Sequence, residues 1–205
     1  MMRMRLVTAA VLGLLPTSGF SGSVENARFI AEQHLDALGY AQRLDALERR
    51  TLSSLRSGLE PFGATILDSD RFMHELTGEY TDSALPDLVT AASDAFVEHL
   101  TPQELAQLAA FYRSEAGKVL PAQPVWDLEG NAHPPLSDDG PLAPLFAKSP
   151  QLKASMDHIM TRGLTTIADL FTAERLAGIV ADPEIVGFED ETMRADVVEA
   201  LGRAE

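Results

Sequence analysis

Five histidines, at positions 34, 74, 99, 133 and 158, are the first residues that could hold a metal or move a proton. No two stand four residues apart, so no helix face offers a pair of imidazoles; each reads as an exposed or capping residue. His74-Glu75 opens like the helix of a zinc protease, but Gly78 occupies the position of the second histidine. A richer cluster lies further on. Asp127, Glu129 and Asn131 alternate, and Asp138 falls eleven residues after Asp127, which imitates a calcium loop. That loop needs glycine at its sixth position, where this chain has Ala132, and His133-Pro134-Pro135 stiffens it where it should turn. Asp127, Glu129, His133 and Asp138 are therefore the metal-site candidate, set against a plain solvated acidic loop.

Covalent catalysis finds less support. There is no G-x-S-x-G, and Ser53, Ser54 and Ser114 sit in helical contexts that explain them as surface or cap residues. The chain has no cysteine, which removes thiol nucleophiles, thiolate zinc sites and disulfides. A glycosidase-like carboxylate pair would need aromatic platforms, and there are one tryptophan, Trp126, and three tyrosines to supply them. No catalytic residue and no cofactor is expected.

The elements that would position any site are helical. The stretch LTPQELAQLAAFYRSEAGKVL carries the clearest pattern. Thr101 and Glu104 have the spacing of a capping box, with Pro102 at the first turn. Leu105, Leu108, Ala109 and Tyr112 follow on one face, Phe111 widens it, and Arg113 suits a helix C-terminus. Ser114 re-caps a short continuation that Pro121 ends. The preceding helix opens at Leu85-Pro86 and places Leu85, Val89, Ala92, Phe96 and Leu100 on its inner stripe. Residues 85–120 thus form a helical hairpin.

Upstream, Leu35, Leu38, Leu44, Leu47, Leu55 and Leu59 keep helical period, and Gly39 divides them into helices at about 24–38 and 41–58. Asp68 caps a shorter helix to about residue 79. Residues 121–149 form an acidic Pro-rich insertion: seven of the twelve prolines fall between 121 and 150, which forbids a regular element for most of it, with a short turn at 142–148. Ser149-Pro150 then starts a long helix with Leu152, Met156, Ile159, Gly163, Ile167 and Leu170 inward. Further helices follow at 172–180 and about 189–203, the last with Met193, Val197 and Leu201 inward. No alternating strand pattern is visible. The expected fold is all-α, an irregular multi-helix bundle with a central hairpin, making one domain over 24–205.

The run Ala95-Phe96-Val97-Glu98-His99-Leu100-Thr101-Pro102-Gln103-Glu104-Leu105, continued by Phe111-Tyr112-Arg113-Ser114 and Gly117-Lys118, resembles the core motif of the bacterial domain-of-unknown-function family 2059. Its motif residues here are Thr101, Glu104, Leu105, Phe111, Tyr112, Ser114 and Gly117. Glu115 departs from the proline that the family usually has after the serine, and the Pro-rich insertion interrupts the helix that usually follows the lysine. The resemblance implies an exported, mostly helical protein. It implies no activity and carries over no functional residue.

The N-terminus points the same way. Met1 to Arg5 has two arginines and no acid, LVTAAVLGLL is an apolar run too short to span a bilayer, and small residues follow Pro16. Residues 1–23 are expected to be a signal peptide cut after Ser21 or Ser23, directing the chain to the periplasm without a permanent membrane anchor. Its formal charge is −15, so nucleic acid and anionic membrane surfaces are poor partners. The composition, 45% apolar and 23% charged, is that of a globular protein. The expected function is a non-enzymatic module binding an envelope protein or small ligand, against a metal-dependent or acid–base enzyme built on the insertion.

Overall fold

The computed structural model describes residues 18–118 and 142–203. Within them the protein is all-α apart from one small sheet. Helix α1 spans Ser18–Ala37 and begins upstream of the expected start at Val24, with no proline between Pro16 and that point to stop it. Gly39 ends α1 at φ 73°, a conformation open to glycine, and its N–H bonds the Asp36 carbonyl at 2.9 Å. Helix α2, Tyr40–Leu59, follows directly and closes in a 3-10 turn at Glu60–Phe62.

Strand β1, Ala64–Ile66, comes next, then α3, Ser69–Glu79, whose N-cap Asp68 accepts the Arg71 N–H at 2.9 Å. Helix α3 and α4, Leu85–His99, are not separate elements as the sequence suggested. A π-turn at Tyr80–Ala84 joins them, with the Leu85 N–H reaching back to the Tyr80 carbonyl. Pro86 has no N–H to continue a tighter ladder, so the wide turn absorbs its arrival. Helix α5, Pro102–Arg113, and the single turn α6, Glu115–Lys118, complete the hairpin region. The short turn expected at 142–148 is helix α7, Ala143–Lys148. Helix α8 runs Pro150–Leu170 from its Ser149 cap, and α9, Ala173–Ala181, starts at a Thr172 cap.

Strand β2, Val186–Phe188, and α10, Thr192–Gly202, end the described chain. One small sheet joins the helices: β1 and β2 pair antiparallel, Ala64 opposite Phe188 and Ile66 opposite Val186. Leu67 N–H to the Ile185 carbonyl (2.8 Å) and Glu189 N–H to the Gly63 carbonyl (3.0 Å) extend the ladder at both ends. Strands of three residues are too short to display alternation, which is why the pattern did not reveal them.

Two cores result. The larger joins α1, α4, α5 and α8 around Ile30, Leu35, Phe96, Leu105, Leu152 and Met156. At Gly163 a Cβ would lie 2.9 Å from the Tyr40 ring and 3.0 Å from Leu88, so the glycine lets α8 approach closely. The Tyr40 hydroxyl then donates to the Met160 carbonyl at 2.9 Å. The smaller core gathers Leu59, Phe72, Leu76, Val180, Val186 and Val197 from α2, α3, α9, β2 and α10, and Phe171 touches both. Arginines tie its loops. Arg71 binds Asp182 (3.1 Å) and Glu184 (2.6 Å), Arg175 binds Glu79 (3.0 Å), and Arg194 donates to the carbonyls of Val180 and Val186. No helix among the described residues is long and apolar enough to cross a membrane.

Candidate functional site

The hairpin motif is built from caps and packing. Thr101 Oγ1 accepts the Glu104 N–H at 3.3 Å, while the Glu104 carboxylate accepts the Thr101 N–H at 2.9 Å and its hydroxyl at 2.8 Å. Glu104 also pairs with Lys148 of α7, which the sequence did not foretell. The Lys148 bond, with those from Thr101, holds its carboxyl down at about 2. Leu105 and Tyr112 are buried, and burial pushes the Tyr112 phenol up to about 12, so it exchanges no proton near neutrality. Phe111 packs edge-on against Tyr112, ring centres 5.8 Å apart.

Arg113 reaches α1, donating to Asn26 at 3.1 Å and lying 4.4 Å above the Phe29 ring. Ser114 Oγ donates to the Phe111 carbonyl at 2.6 Å and accepts the Gly117 N–H at 3.2 Å. That bend presses Gly117 so close to the Phe111 carbonyl that a Cβ there would overlap it. The Ser-x-x-Gly spacing of the motif thus has a steric reason.

Asp127, Glu129, His133 and Asp138, with Trp126, lie outside the described residues. Among the described residues no three histidine or acidic side chains are grouped to hold a metal ion. His34 corrects the expectation that every histidine is exposed or capping. It is 5% exposed in the larger core, Nε2 has no hydrogen-bond partner among the described residues, and desolvation lowers its pKa to about 4. The Tyr80 hydroxyl is likewise buried and unpaired, and burial raises it to about 12.

A feature able to take a ligand lies elsewhere among the described residues. A cleft of about 600 Å³ opens between α2 and α10, floored by Leu59 and Val197. Its α2 wall presents Leu47, Arg50, Thr51, Ser54, Leu55 and Gly58, spaced by helical turns along one face, with Phe62 at the end. Ala200 and Leu201 of α10 face them, and Phe171 and Leu176 complete the apolar lining. Phe62 is 43% exposed, unusual for so large an apolar side chain. Of the three α10 residues expected inward, Val197 is fully buried and Met193 and Leu201 are half-buried. That incomplete burial leaves the cleft open.

One charge comes from each wall, Arg50 from α2 and Asp196 from α10, and neither has an ion pair or hydrogen bond among the described residues. Small and polar Thr51, Ser54 and Gly58 interrupt the leucine stripe on the face turned to α10, and that interruption is the cleft's one mark in the sequence. A stripe with gaps cannot fill the space opposite it.

Residues 86–123 match the family model described as "Uncharacterized protein conserved in bacteria (DUF2059)", the family expected from the hairpin motif. The match takes in α4, α5 and α6 and leaves the cleft residues outside it. No curated protein and no solved structure matches the chain.

Proposed function

We propose that this protein is an exported, non-enzymatic binding module of the bacterial cell envelope, and that it takes a small apolar ligand into the cleft between α2 and α10. The observation that carries the reading is the cleft itself: its volume falls in the range of small-molecule sites, and its walls are mostly apolar with a few convergent polar groups. Export is supported by the basic, apolar and small-residue succession of residues 1–23. The bacterial envelope is supported by the hairpin's likeness to a bacterial family.

An environment-sensitive apolar dye titrated into the protein tests the binding reading. Saturable enhancement is expected, and Ser54→Trp should abolish it, because Ser54 is exposed and lines the cleft, so a bulky side chain fills the space without touching the core. Enhancement unchanged in that variant would place the dye elsewhere and count against the proposal. Fractionation of bacteria producing the chain with and without residues 1–23 tests export. The full chain should reach the periplasm and the truncated chain remain inside.

A further inference from the structure

We propose that the ligand of this cleft is a single-chain fatty acid, its hydrocarbon chain lying along α2 and its carboxylate meeting Arg50. The inference rests on reading the cleft as a ligand site and adds the class of ligand.

Length is the first argument. From Leu47 to Gly58 the lining face of α2 climbs about 16 Å at 1.5 Å per residue. One leaflet of a bilayer's hydrocarbon core is about 15 Å, half of the whole, and that is the reach of one ordinary acyl chain. A single chain fits lengthwise beside Leu47, Leu55 and Phe62, with Leu176 and Leu201 across from it.

Charge is the second. The protein carries a net −15, so it repels anions at a distance, and a carboxylate needs a local reason to stay. Helix α2 supplies it. It carries Arg43, Arg49, Arg50 and Arg56 against Asp45 and Glu48, so it is a basic strip on an acidic molecule. Glu48 is engaged with the Thr77 hydroxyl at 2.7 Å, and Arg56 with Ser69 at 2.8 Å. Arg50 lines the cleft with no partner among the described residues, and the Thr51 and Ser54 hydroxyls stand within one turn of it as further donors. Asp196 lines the opposite wall, on α10, and weakens the attraction. Arg50 can grip a carboxylate with two parallel N–H bonds.

The experiment compares dodecanoic acid, dodecanol and dodecylammonium, each below its micellar concentration, by displacement of the apolar dye from the whole protein. Dodecanoic acid should bind about fivefold more tightly than the alcohol, the advantage of one partly exposed ion pair. Dodecylammonium should bind most weakly. Arg50→Gln should remove the acid's advantage over the alcohol, and Asp196→Asn should strengthen the acid. Equal binding of acid and alcohol, or preference for the ammonium, overturns the fatty-acid assignment while leaving the cleft a ligand site. Failure of all three to displace the dye overturns the assignment too, and failure of the dye itself to bind overturns the cleft reading beneath it.

Discussion

Helix α4 meets α1 and α8 along a face on which Leu88, Ala92, Ala95 and Phe96 are all buried, two large side chains with two small ones between them. Helix α2 meets α10 across Thr51, Ser54 and Gly58 on one side and Ala200 on the other, and there the surfaces stay apart. Both regions use amphipathic helices in one chain, yet only the first closes. The difference lies in side-chain volume along the facing stripes. The segment that matches a bacterial family belongs to the closed region, and the space fit for a ligand belongs to the open one. On the proposed reading the recognisable motif builds the scaffold, and ligand binding falls to residues with no motif.

That contrast can be broken most forcefully in the larger core. Phe96→Ala should cost about 3–5 kcal/mol, read as a fall in the denaturation midpoint at unchanged slope, because a fully buried ring leaves a cavity its packed neighbours cannot close. Acid attacks the same core through His34. Its pKa is lowered in the fold, so the unfolded chain takes up the proton first. The stabilisation is complete above pH 6.5 and drains away as the pH falls toward about 4, levelling off below, for a total of about 3 kcal/mol. Urea titrations at pH 7 and pH 4 should show that loss in the parent protein and a smaller one in His34→Leu; equal losses would mean that the imidazole is not what acid charges.

Two glycines report on the closed and the open helix surface in turn. Gly163→Ala puts a methyl group against Tyr40 and Leu88 and should destabilise by about 1–3 kcal/mol despite alanine's better helix propensity. Thr101→Ala removes the hydroxyl of the capping box and should cost about 1 kcal/mol. Gly58→Ala meets nothing within 4 Å and should stabilise by about 0.5 kcal/mol. Thermal melts of the two glycine variants moving in the same direction would deny that one helix surface is closed and the other open.

The closed region was also the legible one. The capping box at Thr101 and Glu104, the stripe through Leu105 and Tyr112, the break at Gly39 and the caps at Asp68 and Ser149 all follow from local propensity and period, and each stands where expected. The β1–β2 pair was invisible because its partners are distant in sequence and three residues long. His34 misled for another reason: type and spacing do not say which side of a helix the rest of the chain will cover. The ties from Lys148 to Glu104 and from Arg113 to Asn26 and Phe29 depend on tertiary neighbours in the same way. The cleft was hidden most thoroughly. It is a space between helices far apart in the chain, and a one-dimensional pattern records side chains present rather than volume left empty.

Ligand entry between α2 and α10, with the hairpin as scaffold, is tested by the backbone amide shifts of the isotope-labelled protein as dodecanoic acid is added. Saturable shifts are expected at residues 47–62, 171–176 and 196–201, with the amides of 102–113 unmoved. Shifts gathered on the hairpin instead, with the cleft residues silent, would contradict it.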